Sequence, residues 1–444
     1  MSRLGRDRAR YIRAILRQGP TEAGYAFFRA RRRRRNVGDE QPQLLASDRL
    51  ALSPRFAVDS DDLARNQRTL AAYAAAGETE VRSIQWFVPS FHLVWGGGVN
   101  TLLRFADFAA RRHGVDNRFC VFDSDEAFAV DRVRSRIGGA FPALAGSAVT
   151  PAGGPLGDCD LAIATAWESI WTLVRFGGAR GKLVFVQDWE PDFYPAGSAS
   201  AMLGQAARLG IPGIVNTPAL ADVYRAEGNP AVAFVPAVDT ERFHPAPRRA
   251  SAPDRPVTIF FYGRPRTARN AFGLGLAALR EVKRAYGERV RIVCAGESWS
   301  PGQYGAADVL DNLGMLDRID RVAELYRSCD IGLVFMLSRH PSYQPLEFMA
   351  SGMATVTNEN DHTGWLLVHE ANALLAPPLP ALVAAQIGRL VEDPALRQRI
   401  ADAGRETVSG VSWEAQFEAV WETVSGRRAF EAPTGARRSA APRG

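Results

Sequence analysis

Residues 340–360 read HPSYQPLEFMASGMATVTNEN, and the fold can be worked out from this stretch. A strand-like run, IGLVFM (331–336), precedes it; a proline then begins a short helix that carries Glu347 and that Gly352 ends. The strand-like ATVTN (354–358) follows at once. Such a βαβ unit leaves a helix N-terminus at the carboxyl edge of a parallel sheet, where free N–H groups favour an anion such as phosphate. The alternative is an ordinary crossover helix with a solvated glutamate.

The chain has 444 residues, which is too many for one hydrophobic core and favours two domains with extensions. No apolar run reaches about 18 residues, so no membrane-spanning helix is predicted. The N-terminus lacks the apolar core of a secretory signal. The 4 cysteines show no metal-binding spacing and indicate reduced core residues rather than disulfides or zinc. These features favour the cytoplasm.

The formal net charge is +6, and much of it lies in the run RARRRRR (29–35), which follows YAFF (25–28). Arginines beside aromatic residues predict either a nucleic-acid patch or contact with an anionic membrane surface. No nucleic-acid recognition fold is visible nearby, so we expect no nucleic-acid partner and favour peripheral binding to the inner face of the membrane. A solvated tail is the remaining alternative.

Strand-like and helix-like segments alternate from residue 83 onward, stop at a proline-rich stretch, and start again at residue 257. This alternation predicts two doubly wound parallel sheets of the α/β class. Two such domains place the carboxyl edges of their sheets across a cleft, where ligands bind. The predicted parts are a basic, partly helical extension (1–80), a Rossmann-like domain (81–240), a linker (241–256), a second Rossmann-like domain (257–410), a helix (411–426) and a disordered tail (427–444).

A glycine cluster follows the first predicted strand. It consists of Gly96, Gly97 and Gly98. Glycines let the backbone approach a ligand closely, and Asn100 or Thr101 can cap the helix that follows. Asp123 ends the next strand, as in dinucleotide-binding proteins, but Thr101 stands where the third glycine of that motif belongs. We therefore expect a flexible substrate loop rather than an NAD site; a plain turn is the alternative.

The segment FVQDWEPDFYPAG (185–197) places acidic and aromatic residues directly after a strand. Carboxylates accept hydrogen bonds from sugar hydroxyls, while aromatic rings pack on the apolar face of a sugar. The segment therefore predicts a sugar site, and a surface loop anchored by its aromatic rings is the alternative. The candidate residues are Gln187, Asp188, Trp189 and Glu190.

The second domain opens with GRPRTARN (263–270), which brings Arg264, Arg266 and Arg269 to a strand end. Guanidinium groups bind a diphosphate in bidentate fashion and stabilise it as it leaves, whereas a solvated basic loop is the alternative. The motifs DSD (123–125) and DCD (158–160) have the form D-x-D, but no context supports a metal site there. We expect no metal cofactor.

Taken in this order, the motifs resemble glycosyltransferase family 4, whose members have the GT-B architecture of two facing Rossmann-like domains. The resemblance covers about residues 83–426. VPAVDTERFHP (235–245) resembles the linker PNGVDxxxFxP, and GRPRTARN resembles the phosphate loop GRLxxxKG. Further along, HPSYQPLEFMASGMATVTN resembles EGFGLxxLEAMAxGxPVVAT, and ANALLAPP resembles NGLLVPP. The segment SWEAQFEAVWETV resembles the terminal helix that crosses back to the first domain.

This resemblance implies a metal-independent, retaining glycosyltransferase that uses a nucleoside-diphosphate sugar as donor. It implies that Arg264 and Arg269 stabilise the leaving diphosphate and that Glu347 binds a hydroxyl of the nucleotide's sugar. Asp188 is the third catalytic candidate. The other donor-binding candidates are Tyr343, Gln344, Leu346 and Arg339, and the acceptor- or sugar-binding candidates are Gly96, Gly97, Gly98, Gln187, Trp189 and Glu190.

FVQDWEPDFYPAG, NTP (216–218) and HPSYQPLE further resemble bacterial rhamnosyltransferases of the WsaF kind. This implies transfer of L-rhamnose or another 6-deoxyhexose to a glycan or lipid-linked glycan in cell-surface polysaccharide biosynthesis. Two positions depart from the family pattern: Arg339 replaces the first glutamate of E-x7-E, and Gln187 replaces a frequent histidine. They leave open a catalytically inactive nucleotide-sugar-binding protein, and an NAD-dependent dehydrogenase is the weaker alternative.

Overall fold

The computed structural model describes residues 53–246 and 255–434. In these ranges the chain forms two parallel sheets covered by helices. Three predicted features lie outside the described residues: the arginine run 29–35, the middle of the linker and the end of the tail.

The first sheet has seven strands in the order β3-β2-β1-β4-β5-β6-β7, and all neighbouring strands are parallel. The order reverses between β1 and β4, and ligands bind at such a switch point in open α/β sheets. The strands are β1 (Ser83–Val88), β2 (Asp116–Val121), β3 (Val149–Pro151), β4 (Cys159–Ala164), β5 (Ala179–Val186), β6 (Gly213–Asn216) and β7 (Ala231–Phe234).

Helices connect most of these strands, and a further helix precedes them. Their apolar faces pack with the sheet into a core of aromatic residues, in which Trp86, Phe105 and Phe185 are fully buried. The helices are α1 (Ser60–Ala75), α2 (Gly97–His113), α3 (Ala127–Ala140), α4 (Trp167–Arg175), α5 (Ser198–Ala206) and α6 (Pro218–Ala226); a 3-10 helix covers Glu190–Phe193.

The second sheet has six parallel strands in the order β10-β9-β8-β11-β12-β13, which repeats the winding of the first sheet. The strands are β8 (Val257–Tyr262), β9 (Val290–Ala295), β10 (Asp311–Asn312), β11 (Ile331–Leu333), β12 (Ala354–Asn358) and β13 (Leu374–Ala376). The helices are α7 (Phe272–Tyr286), α8 (Ile319–Arg327), α9 (Gln344–Ala350), α10 (Pro380–Glu392) and α11 (Pro394–Val408).

The last helix, α12 (Trp413–Val424), returns to the first sheet. Phe417 lies edge-on to Phe105, with ring centres 5.2 Å apart, and contacts Phe234 at 5.8 Å. The hydrophobic effect holds the helix there, because Phe417 and Trp421 are buried in the first core. Two parallel sheets and a returning C-terminal helix confirm the predicted fold class.

The stretch that suggested this fold forms the predicted βαβ unit from β11, α9 and β12. Gly352 has a φ of 78°, the left-handed conformation that ends helices. The strand is shorter than predicted, since the ladder ends at Leu333. The Asn358 side chain, rather than a neighbouring backbone, bonds both the N–H and the C=O of Met336, at 2.9 and 3.0 Å.

Candidate functional site

A pocket lies between the carboxyl edge of the second sheet and the first turn of α2. Its lining includes Tyr262 and Glu347 from the second half and Trp95 and Gly97 from the first. Gly296 follows β9 with a φ of 121°, and a Cβ there would lie 2.8 Å from the Tyr262 ring. Most of the lining is apolar, and two carboxyl groups, those of Asp317 and Glu347, lie in its wall.

Glu347 lies near the start of α9. Burial raises the pKa of Glu347 to about 8, and the Tyr326 hydroxyl opposes this effect. The backbone N–H of Glu347 donates to Tyr343 O over 3.0 Å, which fixes the turn. A carboxyl group with a strongly displaced pKa in a cleft is a candidate for ligand binding.

The three arginines of the loop after β8 do not share one environment. Arg264 donates to the Tyr262 hydroxyl over 3.3 Å, beside the pocket. Arg266 instead forms an ion pair with Glu297, and its side chain is 82% exposed. Arg264 and Arg269 remain close enough for the charge of Arg264 to contribute to the lowered pKa of Arg269, which is caused mainly by burial. The structure therefore separates Arg266 from the other two.

Arg269 reaches across to the segment that follows β5. Its Nε lies 3.9 Å from Asp188 Oδ2, and its guanidinium lies 4.1 Å from the centre of the Phe193 ring. Asp188 also accepts hydrogen bonds of 2.8 Å from Ser338 Oγ and from the N–H of Trp189. Burial raises the pKa of Asp188 to about 6, although these hydrogen bonds act in the opposite direction. Two predicted catalytic residues are thus brought together.

Arg339, which replaces a glutamate of the resembled motif, makes a second contact with the same segment. Its Nε lies 3.3 Å from Asp192 Oδ2, and its guanidinium lies 5.7 Å from the centre of the Trp189 ring. The Trp189 side chain itself is buried. Arg339 therefore links the two halves of the protein.

Two residues predicted to bind a sugar have backbone partners instead. Glu190 Oε2 accepts a hydrogen bond of 2.6 Å from the N–H of Trp167, at the N-terminus of α4. Burial raises the pKa of Glu190 to about 8. Gln187 Nε2 donates to Gly98 O over 2.7 Å. These contacts give Glu190 and Gln187 structural partners within the first half.

The prediction of a flexible glycine loop is wrong, because α2 begins at Gly97 and Gly96 is its N-cap. Asn100 and Thr101 do not cap the helix; they lie within its first turns. The glycines serve close packing instead: a Cβ on Gly97 would lie 2.4 Å from Cδ2 of Tyr343. A Cβ on Gly98 would lie 3.2 Å from the Gln187 side chain.

The remaining predicted donor-binding residues surround the start of α9. Leu346 is buried in the second core, and the Gln344 side chain accepts a hydrogen bond from the Ser342 hydroxyl. Ser342 has a φ of 68°, which is unfavourable for a residue with a side chain. It stands where the resembled motif EGFGL has its second glycine. Such strained residues cluster at functional sites.

Sequence reasoning missed Thr101 and Asn216 as partners of Tyr343. The Tyr343 hydroxyl lies 2.5 Å from Thr101 Oγ1 and accepts a hydrogen bond of 2.6 Å from Asn216 Nδ2. One available signal was the NTP motif (216–218), which begins with Asn216. Its next residue, Thr217, has a φ of 95°.

One aspartate of each D-x-D motif, Asp123 or Asp160, holds local structure. Asp123 accepts hydrogen bonds from the N–H and the hydroxyl of Ser90, at 2.7 and 2.9 Å. Asp160 accepts from the N–H of Ser83 over 3.0 Å and pairs with Arg180 over 2.9 Å. Across residues 53–246 and 255–434, no three His, Cys, Asp or Glu side chains are grouped to hold a metal ion.

All four cysteines are buried and unpaired, as expected for core residues. Among the helices of the described ranges, none combines the length and apolar character needed to cross a membrane.

Comparison with known proteins agrees with this architecture. Residues 257–388 match the family model described as WsaF, C-terminal domain. The O-antigen biosynthesis protein RfbC of Myxococcus xanthus is 43% identical over 376 residues, which is 82% of this chain. The chain spans only 28% of the length of that relative.

Two solved structures share the fold at low sequence identity. HepE of Anabaena, in complex with UDP-glucose, is 17% identical, has a TM-score of 0.60 and covers 77% of this chain and 99% of its own. The sucrose-phosphate synthase of Thermosynechococcus elongatus is 16% identical, has a TM-score of 0.58 and covers 77% of this chain and 98% of its own. The chain therefore has the GT-B fold, and its second sheet lies in a domain that matches the WsaF C-terminal domain.

Proposed function

We propose that this chain is a glycosyltransferase that moves a sugar from a nucleoside-diphosphate donor to a glycan or lipid-linked glycan in cell-surface polysaccharide biosynthesis. One observation carries the proposal: Glu347 and Gly97 face the same pocket, with Arg264 and Arg269 at the adjoining loop. The name of the Myxococcus relative, which refers to O-antigen biosynthesis, and the UDP-glucose complex of HepE support it.

The nucleoside fits the apolar part of this pocket. Tyr262, Gly296 and Leu316 line it at the carboxyl edge of the second sheet. The base would pack against these groups, and Glu347 would accept a hydrogen bond from a ribose or deoxyribose hydroxyl. Burial raises the pKa of Glu347 to about 8, and a hydrogen bond donated to its carboxylate would favour the ionised form.

The diphosphate would lie beside Arg264 and Arg269. In the proposed reaction, the bond between sugar C1 and the phosphate oxygen breaks, and the nucleoside diphosphate leaves with the electron pair. The acceptor oxygen bonds to C1 from the same face, so the configuration is retained, and its proton passes to a phosphate oxygen. The two guanidinium groups stabilise the charge that develops, in the role that a divalent cation fills in other enzymes.

For the donor sugar, we propose a 6-deoxyhexose such as L-rhamnose. The match to the WsaF C-terminal domain supports this proposal. Arg339 pairs with Asp192, and Gln187 bonds to Gly98, where the resembled family places a glutamate and a histidine. These two replacements favour a donor sugar other than a common hexose.

The same two departures favour a second candidate, a protein that binds a nucleotide sugar without transferring it. Incubating the purified chain with nucleotide sugars and measuring released nucleoside diphosphate separates the two. Release by the wild type, and its loss in Arg264→Ala, supports the enzyme. Binding without release in the presence of a glycan acceptor supports the silent protein.

We further propose that the enzyme acts at the cytoplasmic face of the membrane, tethered by the arginine run 29–35. Each basic residue near an anionic leaflet contributes about 1 kcal/mol. Removing residues 1–40 should release the protein from anionic liposomes and leave transfer to a soluble acceptor intact. Equal liposome binding by the shortened protein would contradict the tether.

A further inference from the structure

A directional chain of hydrogen bonds joins the two halves at Tyr343. Thr101 Oγ1 donates to Gly97 O over 2.8 Å, and a threonine hydroxyl has only one hydrogen. The Tyr343 hydroxyl must therefore be the donor in its 2.5 Å contact with Thr101. Asn216 Nδ2 donates in turn to the Tyr343 hydroxyl over 2.6 Å. The chain runs from the end of β6, through Tyr343, to the first turn of α2.

Packing fixes the same residue from a second direction. The Tyr343 ring lies so close to Gly97 that a Cβ there would be 2.4 Å from Cδ2. At its other end, Tyr343 is the residue before α9, and its carbonyl accepts the N–H of Glu347 over 3.0 Å. The Tyr343 ring thus contacts the first half of the protein, while the Tyr343 backbone bonds to the turn that contains Glu347.

We infer that Tyr343 is a positioning residue that sets the first turn of α2 opposite Glu347 and so shapes the donor pocket from both sides. The inference rests on the proposed function, because the pocket matters only if it takes the nucleotide. Gly97 and Glu347 both line that pocket. Burial also raises the pKa of the Tyr343 phenol well above its ordinary value, so the hydroxyl stays protonated and able to donate.

Tyr343→Phe tests the hydroxyl, and the chain offers a matched control. Tyr224 likewise lies against a glycine, Gly213, and its hydroxyl donates to Ile211 O over 2.9 Å, but all three residues belong to the first half. Tyr343→Phe should lower kcat/KM for the donor by about tenfold, while Tyr224→Phe leaves it unchanged. An unchanged kcat/KM in Tyr343→Phe would overturn the inference.

Hydrogen exchange gives a readout besides activity. Peptides that cover the first turn of α2 should exchange faster in Tyr343→Phe than in the wild type, while β-strand peptides of both sheets stay protected. Equal exchange in the wild type and in Tyr343→Phe would overturn the inference. So would exchange at α2 that is equally faster in Tyr224→Phe.

A double-mutant cycle tests the packing. Gly97→Ala should reduce donor kcat/KM strongly in the wild type and only slightly in a Tyr343→Ala background, because the clashing ring is gone. Gly273→Ala is the control, since Gly273 also lies in the first turn of a helix, α7, but faces open space. Equal effects of Gly97→Ala in both backgrounds would overturn the inference.

Calorimetric titration of the wild type with UDP, dTDP, GDP and ADP keeps the two claims apart. If none of these nucleotides binds, the proposed function fails. If one binds while Tyr343→Phe exchanges and binds like the wild type, only the positioning role fails.

Discussion

Arg269 and Phe193 meet across the cleft, with the guanidinium carbon 4.1 Å from the ring centre. Arg269 lies in the loop after β8, and Phe193 lies in the segment after β5, so the contact joins the carboxyl edges of the two sheets. Asp188 stands on the same side, 3.9 Å from Arg269 Nε. Phe193 and Asp188 thus hold the Arg269 guanidinium at the place proposed for the diphosphate.

Arg269→Ala should lower kcat by on the order of 10²–10³, because losing one group that stabilises developing charge typically costs that much. Donor KM should change less, since the charge grows as the diphosphate leaves. Lysine at this position should be tolerated better, as the resembled motif carries lysine there. Steady-state kinetics with varied donor would measure both constants.

Arg266→Ala is the matched control for this variant. Arg266 lies in the same loop, but it pairs with Glu297 and is largely exposed. The Arg266→Ala variant should therefore retain a near-normal kcat. If Arg266→Ala is as damaging as Arg269→Ala, the effect reflects the loop as a whole and the assignment of Arg269 fails.

Glu347→Gln should mainly raise the donor KM. The carboxylate contacts a nucleotide hydroxyl equally in the ground and transition states, so kcat should stay within a few-fold. A hydrogen bond to a charged group contributes about 1.5–3 kcal/mol, which corresponds to roughly 10- to 100-fold in KM. A fall in kcat at constant KM would mean that Glu347 acts in the chemical step instead.

The pH dependence of stability offers a separate test of Glu347. Burial raises the pKa of Glu347 to about 8, so the folded protein keeps a proton that the unfolded chain has already released at lower pH. Unfolding therefore releases a proton in this window, and the wild type loses stability as pH rises through it. The free energy of unfolding of Glu347→Gln, relative to wild type, should rise from about pH 5 to about pH 8.

Asp160→Asn is the control, because the pKa of Asp160 is shifted in the opposite direction to that of Glu347. Burial alone would raise the pKa of Asp160, but hydrogen bonds from Arg82, Ser83 and Arg180 lower it overall. Its stabilising effect is complete above the ordinary pKa of aspartate and disappears only as pH falls further. Relative to wild type, the free energy of unfolding of Asp160→Asn should stay constant between about pH 5 and about pH 8, where that of Glu347→Gln rises. If the relative free energy of unfolding changes with pH in the same way in both variants, the raised pKa of Glu347 is contradicted.

The Arg339–Asp192 pair should couple only weakly. Its two side chains are 39% and 37% exposed, and exposed ion pairs contribute about 0–1 kcal/mol. A double-mutant cycle with Arg339→Ala and Asp192→Ala, measured by denaturant unfolding, should give a coupling energy in that range. Arg339→Ala alone should cost more than Asp192→Ala, because it also removes the contact with Trp189. A coupling well above this range would show a pair shielded from water.

Transfer should continue in EDTA, because Arg264 and Arg269 supply the positive charge at the diphosphate. The assay compares initial rates with chelator, with magnesium and with manganese. Complete loss of activity in EDTA that magnesium or manganese restores would contradict this expectation and direct attention to the D-x-D motifs.

Much of the fold could be predicted from the sequence, because short β-branched and aromatic runs alternate with helical segments between glycines and prolines. The βαβ unit around Glu347 was predicted for this reason, and Gly352 ends its helix as expected. Strand ends were less predictable. The β11 ladder stops early because one side chain, Asn358, takes over its hydrogen bonds, which no local pattern indicates.

The site was predictable where a motif follows a strand, as at Arg269 and Glu347, since strand ends meet at the sheet edge. It was not predictable where function depends on contacts distant in sequence. The glycine at position 97 was expected to provide flexibility, yet it admits the ring of Tyr343 from the other half of the chain. Likewise, nothing near Glu190 indicates that it caps α4 at Trp167.

The most direct test of the account is thermal unfolding of the purified chain with a panel of nucleotide sugars that includes dTDP-L-rhamnose and UDP-glucose. A ligand at 100 times its Kd stabilises a protein by about 2.7 kcal/mol, which is readily seen as a rise in Tm. If this pocket binds the donor, at least one nucleotide sugar should raise the Tm of the wild type, and the rise should be smaller in Glu347→Gln. No rise with any member of the panel, or an equal rise in Glu347→Gln, would contradict the claim that this pocket binds the donor.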